Sequence, residues 1–323
     1  AHAVVGDVLL WLGEFTSAQA HHDQAGTFYD SEQHRNLAYQ VGQDPWLAAL
    51  GFAAQTLWCR GYPDQALERV RHLLSLAQAL SHPLSLVAVL SAVAFVHLFR
   101  RESQEAHAQA EALLTLAHEH GLAFWLDVGT SLQGWALVER AARSGAREQG
   151  EAGLVQIREG LAALRATGAE LWVPLLLGAL AQTSAQDGQA KEGLRVVAEA
   201  LALVEKNGER WHEADLYRLK GELTLQKEWS VVSSQLSVPS PQPLVPSPAS
   251  EAEECILKAI DIARKQQAKS LELRATVSLA RLWQSQGKTH EAHEMLSEIY
   301  GWFTEGFDTK DLQEAKALLT ELT

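Results

Sequence analysis

A small residue returns along this chain at a spacing near 40, and that return limits the available folds more than any other feature. Alanine or glycine stands at positions 18, 66, 106, 153, 193, 252 and 292, so three of the six gaps are 40 and the others are 48, 47 and 59. Four of these residues close a short polar turn: Gly61-Tyr62-Pro63-Asp64-Gln65-Ala66, Arg101-Glu102-Ser103-Gln104-Glu105-Ala106, Gly188-Gln189-Ala190-Lys191-Glu192-Gly193 and Gly287-Lys288-Thr289-His290-Glu291-Ala292. Apolar residues on either side recur at helical spacing, as in Leu67, Val70, Leu73, Leu74 and Ala77. A fixed period in this range describes stacked helical hairpins, each burying its apolar face only against its neighbours. The small residue early in each second helix lets the first helix approach closely.

Seven hairpins account for the pattern. Their second helices are expected at about 16–30, 64–80, 103–120, 150–167, 190–207, 250–268 and 289–303, each preceded by a first helix, and no segment reads as a strand. A last helix near 310–322 caps the array, with Asp308 or Thr309 as its N-cap. Tyr300, Trp302, Phe303 and Phe307 cluster before it and are expected to plug that end. Residues 229–250 interrupt the pattern. They hold five of the nine prolines, at 239, 241, 243, 246 and 248, in Ser-Pro alternation, and read as a disordered insertion within the sixth hairpin. The array therefore divides into 1–228, the insertion, and 251–323. The fold expected is all-α, a right-handed superhelical solenoid.

Charge and composition narrow the function. A net charge of −13 lacks the basic stripe that nucleic acid or an anionic membrane requires. The longest apolar run, Leu84 to Phe99, is broken by Ser85, Ser91 and His97, too short for a membrane span. Cys59 and Cys255, far apart and without a partner motif, suit a reducing cytoplasm and give no cysteine-based zinc site. The chain opens Ala1-His2-Ala3 and its sole methionine is Met295, so it reads as a piece of a longer polypeptide.

Catalytic signatures are weak. Gly287-Lys288-Thr289 has the ending of a phosphate loop, but Leu282 stands where the second glycine belongs, and a helix rather than a strand precedes it. His21-His22, His118-Glu119-His120 and His290-Glu291-Ala292-His293 lack the spacing of a zinc-binding helix and read as solvated histidines. Arg218 and Glu222, four apart, read as a structural brace. No cofactor, metal or catalytic residue is assigned.

Leu50-Gly51, Gly61 and Ala66 are spaced as in the tetratricopeptide repeat, which the chain resembles; its longer period is similar to the variety in MalT-like regulators. Three strings are more specific: Glu209 to Glu222 (ERWHEADLYRLKGE), Gly160 to Gly168 (GLAALRATG) and Tyr300 to Thr309 (YGWFTEGFDT). They resemble the C-terminal repeat region of large bacterial signalling proteins in which a nucleotide cyclase or kinase domain and an AAA-type ATPase lead the chain. Asp215 stands where that family usually has Glu, and the Pro/Ser insertion is a second departure. The resemblance implies a regulatory module that binds a protein partner, peptide or ligand in its concave groove and acts on an upstream ATPase or cyclase. In tetratricopeptide superhelices the first helices line that groove. By repeat register the expected groove residues are Trp58, Trp135, Gln182, Tyr217, Arg274, Arg281 and Gln284, while most of the ten tryptophans are expected between helices. A plain scaffold, or a small-molecule sensor with a pocket lined by Trp135 and Tyr217, stand as the other readings.

Overall fold

The computed structural model of the protein describes residues 1–28, 37–186, 189–232 and 247–323. Among them are sixteen helices and no strand. Helices α1 (His2–Trp11) and α2 (Phe15–Phe28) make the first hairpin, and the short α3 (Leu37–Val41) leads to α4 (Pro45–Cys59) and α5 (Pro63–Leu80). The next pairs are α6 (Pro83–Phe99) with α7 (Ser103–Glu119), α8 (Ala123–Ser144) with α9 (Arg147–Ala166), and α10 (Val173–Gln186) with α11 (Ala190–Asn207). Then come α12 (Glu213–Val232) with α13 (Pro248–Gln266), α14 (Lys269–Ser285) with α15 (Thr289–Trp302), and the capping helix α16 (Lys310–Glu321). Seven hairpins and a cap follow the period read from the sequence. Of the Pro/Ser segment, residues up to Val232 and from Pro248 belong to α12 and α13. Residues 233–246, and Gly188 of the third turn motif, lie outside the described residues.

Local chemistry sets the helix ends. Proline occupies the first turn of α4, α5, α6 and α13, where its missing N–H costs nothing. Asp44 caps α4 by accepting from the N–H groups of Trp46 (2.8 Å) and Leu47 (3.2 Å), and its own N–H donates to Ser85 Oγ. Thr309 is the residue before α16, but its hydroxyl donates to the Gly306 carbonyl at 2.6 Å instead of capping the helix. Asp308 turns away to Arg100.

The two helix layers differ in how they are buried. A second helix such as α11 buries one stripe: Ala190, Gly193, Val196, Val197, Ala200 and Val204. The first helix α6 buries every residue from Val89 to Phe99, as a helix enclosed on all sides must. The recurring small residues sit at the contact between layers. A Cβ added at Gly153 would stand 2.6 Å from the Gly134 carbonyl oxygen, so α8 and α9 touch backbone to backbone.

The array curves until its ends meet. Ser270 Oγ donates to the Trp58 carbonyl at 2.6 Å, and Arg274 Nη2 to the Phe99 carbonyl at 2.7 Å. Glu305 accepts from the backbone N–H groups of Asp64 (2.9 Å) and Gln65 (3.1 Å), two first-turn donors of α5 with no partner within their helix. Gly306 N–H donates in return to Asp64 Oδ2 at 2.8 Å. Arg100, almost wholly buried, binds Asp64 (3.0 Å), Glu102 (2.7 Å) and Asp308 (3.4 Å). Gly61 has φ +93°, and a Cβ there would meet the Trp302 ring at 2.6 Å; one glycine thus serves both the turn and the closure. Nearer the N-terminus, Arg210 N–H donates to the Trp11 carbonyl at 2.6 Å, and Thr16 bonds Gln267. The expected terminal plug is thus divided. Phe303 is buried and Trp302 packs sideways on Tyr62 at 5.6 Å, while Phe307 stays half exposed. The end itself is covered by Leu312, Ala315 and Leu318 of α16. Along the axis the inner rings stack into a continuous core: Phe95, Phe99, Trp58, Trp211 and His212. Among the described residues no helix is long and apolar enough to cross a membrane.

Candidate functional site: a charged cavity on the axis

The inner face holds a charged cavity of about 270 Å³, whose polar wall comes from α8, α10, α12, α14 and α16 and from Arg101 in the turn after α6. Four residues chosen by repeat register meet there: Trp135, Gln182, Arg274 and Arg281. Trp58 does not reach the cavity; only 2% exposed, it lies beneath the Arg274 guanidinium at 4.8 Å and belongs to the core. Tyr217 is on a separate flank, where Lys258 Nζ lies 3.9 Å from its ring and donates to its hydroxyl at 2.6 Å. Gln284, half-buried near the end of α14, is outside the cavity wall. Trp135 and Tyr217 therefore do not share a pocket.

The wall alternates in charge. Arg101, Arg218, Arg274 and Arg281 face Glu139, Glu222, Asp311 and Glu314. Arg274 Nε donates to Asp311 Oδ2 at 2.8 Å, and Arg101 reaches Glu314 at 2.9 Å and Asp311 at 3.3 Å. Arg218 lies between Asp215 (2.7 Å) and Glu222 (2.9 Å), and Ser278 Oγ donates to Glu222 at 2.5 Å. The brace read from the sequence is therefore also cavity wall. Gln182 Nε2 donates to Glu139 at 3.2 Å. Arg281 is the least engaged cation, over half exposed and 3.6 Å from Glu314.

Register along the first helices does not reveal Asp311, Glu314 or Arg101. Asp311 and Glu314 enter from the capping helix, and Arg101 from a turn far away in sequence. Glu139 had a legible signal, an acid directly after the apolar stretch from Trp135 to Val138, and it is buried.

The neighbouring groups are tuned by burial. Burial raises Asp215, but the Arg218 and Arg274 guanidiniums outweigh it and hold the carboxyl at about 2. Burial pushes Glu209 up to about 7, against the bonds it accepts from Trp211 Nε1 (3.0 Å) and Trp172 N–H (3.2 Å). Burial lowers His212 to about 4. The two oppose each other in pH. Glu209 contributes stability present below its ordinary value near 4.5 and lost as pH rises through 7. His212 contributes stability present above its ordinary 6.5 and lost as pH falls through 4. Glu209→Gln removes the first effect alone. Relative to wild type the variant should gain about 2–3 kcal/mol between pH 4.5 and 8, read from denaturant melts at each pH. A constant difference across that range would show that Glu209 titrates normally.

No protein-family model matches the chain, and no curated protein matches it in sequence. Solved structures do match in shape. The apo form of RapI is 10% identical, with a TM-score of 0.54 over 99% of this chain and 98% of its own. A circular tandem repeat protein with novel repeat topology (11% identical, 99% of this chain and 93% of that one) and the TPR domain of P58(IPK) (14%, 99% and 98%) align with TM-scores of 0.28 and 0.25. The chain is an all-α solenoid of tetratricopeptide-like hairpins, a fold it shares with RapI.

Proposed function

We propose that this chain is a non-catalytic binding module whose axial cavity receives an extended peptide segment of a protein partner. The observation that carries the reading is the wall itself, which offers donors and acceptors in alternation from five helices that closure brings together. An extended peptide presents backbone N–H and C=O groups in the same alternation, so Gln182, Gln226 and the carboxylates match one and the arginines the other. Arg281, held by a single long contact, is free to take a carboxylate of the incoming segment.

The cavity also shares Arg101, Arg274, Asp311 and Glu314 with the contacts that close the array. A peptide that competes for those groups has different affinities for closed and opened arrays, which is the requirement for coupling binding to a distant output. The resemblance of residues 209–222 and 300–309 to bacterial cyclase and ATPase fusions makes an upstream catalytic domain the natural recipient of that output, in a cytoplasmic signalling protein.

The test is peptide display against wild type and an Arg281→Glu, Gln182→Ala double variant, both confirmed as folded by circular dichroism. Peptides selected on wild type should bind the variant at least tenfold more weakly. Equal binding to both, or no enrichment on wild type, would remove the axial cavity as the site.

A further inference from the structure

A second cleft carries a charge opposite to that of the chain. It has a volume of about 480 Å³ and lies where the turn joining α8 to α9 meets the start of α16. It shares Arg101 and Glu139 with the axial cavity. The whole chain holds 40 acidic residues against 27 lysines and arginines, yet this wall has four cations, Arg101, Arg143, Arg147 and Lys310, and one acid, Glu139. The cations come from stretches far apart in sequence. Arg101 stands in the turn after α6, Arg143 and Arg147 flank the turn of the fourth hairpin, and Lys310 opens the capping helix.

Two of these five charges are already answered. Glu139 is buried, accepts from Gln182 at 3.2 Å and lies in the field of Arg101. Arg101 is held by Glu314 and Asp311, which face the axial cavity. The other three cations are not so held. Lys310 is half-buried, and its ammonium has no hydrogen-bond or ion-pair partner among the described residues. Burial lowers Lys310 below the ordinary lysine value, and the Arg101 and Arg143 guanidiniums push the same way against the pull of Glu314 and Glu139. Arg143 donates to the Arg101 carbonyl at 3.3 Å and makes no ion pair among the described residues. Arg147 reaches only Glu151, at 3.3 Å, and both are well exposed, so that contact is worth little in water. Like charges gathered in this way repel one another, and a bound anion removes the repulsion. The positive end of α9 adds to the field, because Ala146 gives it no side-chain cap, and Glu148 of that first turn does not line the cleft.

We infer that this cleft is a binding site for a phosphate monoester, its phosphate held by Arg143, Arg147 and Lys310. Charge sets the first term. A carboxylate brings one charge and two oxygens, whereas a phosphate monoester brings about −1.5 to −2 at neutral pH and three strong acceptor oxygens, a match for three uncommitted cations. The donor set fits as well: a guanidinium fork takes two phosphate oxygens together, and a lysine ammonium adds a point charge. Size and wall chemistry set the second term. The cleft is far larger than a bare phosphate, and Val138, Ala141 and Ala142 make much of the remaining wall small and apolar, so an organic group fits beside the phosphate. A Cβ on Gly145 would meet nothing within 4 Å, which leaves the cleft open at the hairpin turn. Occupancy joins the fourth hairpin to the capping helix and so adds a bridge across the closed ring.

The test is a ligand-observed proton NMR titration of the full chain with phenyl phosphate, benzoate and the tripeptide Ala-phosphoserine-Ala, acetylated and amidated at its ends. Saturable binding of phenyl phosphate is expected, at least tenfold tighter than that of benzoate. Saturable binding of the tripeptide supports the same site, and the tighter of the two phosphate monoesters tells whether the source is a small molecule or a modified protein segment. Lys310→Glu and Arg143→Glu should each weaken phenyl phosphate at least tenfold. Lys310→Gln is the milder variant should charge reversal fail to melt cooperatively, and should weaken it at least threefold. Arg195→Glu makes the same change of charge at an exposed position on α11 outside the cleft and should stay within twofold of wild type. Arg281→Glu should likewise leave binding unchanged, which keeps this site distinct from the axial cavity. No saturation by either phosphate monoester, equal affinity for benzoate, unchanged binding in the Lys310 and Arg143 variants, or an equal loss in Arg195→Glu would overturn the assignment.

Discussion

Arg274→Ala should destabilise the chain by about 3 kcal/mol, near the lower end for breaking a buried ion pair. The side chain joins three parts of the ring. Its guanidinium donates to Asp311 of the capping helix and to the Phe99 carbonyl of the third hairpin, and it covers the Trp58 ring of the second. Its loss leaves the Phe99 carbonyl without that donor and leaves Asp311 with only the longer contact to Arg101, 3.3 Å. Arg274→Lys should recover less than half, because one ammonium on a flexible stem does not reproduce a planar fork aimed at two acceptors. Arg147→Ala is the internal control. Its partner Glu151 lies one turn away and both are well exposed, so the expected change is below about 0.5 kcal/mol. Urea melts of the three variants check the ordering. Equal midpoints for Arg274→Ala and Arg147→Ala would mean that the ring is not latched at this residue.

Trp211→Ala should cost more, about 3–5 kcal/mol, the range for deleting a buried large aromatic side chain. Trp211 is 1% exposed and lies against His212 at 4.3 Å and Phe99 at 6.0 Å, at the meeting of the third and sixth hairpins. It also donates to Glu209, so deletion leaves that buried carboxyl with only the Trp172 N–H. Trp211→Phe separates the two effects. It keeps most of the ring and loses the donor, and should cost about 1–2 kcal/mol in line with one unmatched buried group. Because Trp211 and Arg274 both act around Phe99, the double variant Arg274→Ala, Trp211→Ala should fall short of the summed losses. Denaturant melts check each value, and a loss below 1 kcal/mol for Trp211→Ala would place the residue outside the core.

The hairpins were legible because their causes are local. Small residues at a period of 40, short polar turns and apolar residues at helical spacing each act within a few residues, and they located the second helices to within a few positions. The closure was not legible, because it depends on pairs more than 170 residues apart. Nothing near Arg274 announces that Phe99 is its acceptor, and nothing near Asp64 announces Glu305. The strings 209–222 and 300–309 did stand out as specific, and the structure places both where distant hairpins meet: Trp211 against Phe99, Trp302 against Tyr62. The candidate site divides in the same way. Trp135, Gln182, Arg274 and Arg281 were reached by register, which marks the inward face of a first helix. Trp58 was misplaced because register gives direction and not depth, and a ring that faces inward in a closed array is covered by what arrives from the other side.

Closure of the array is the claim on which the axial cavity depends, and backbone hydrogen exchange at Asp64 and Gln65 tests it most directly. Both amides lie in the first turn of α5, where a helix supplies no acceptor, so protection can come only from Glu305 across the ring. The expected result is slow exchange at both positions in the wild type and fast exchange at both in Glu305→Ala, with the middle of α5 unaffected. Fast exchange at Asp64 and Gln65 in the wild type would mean that the ends do not meet, and the axial cavity would then be an open groove.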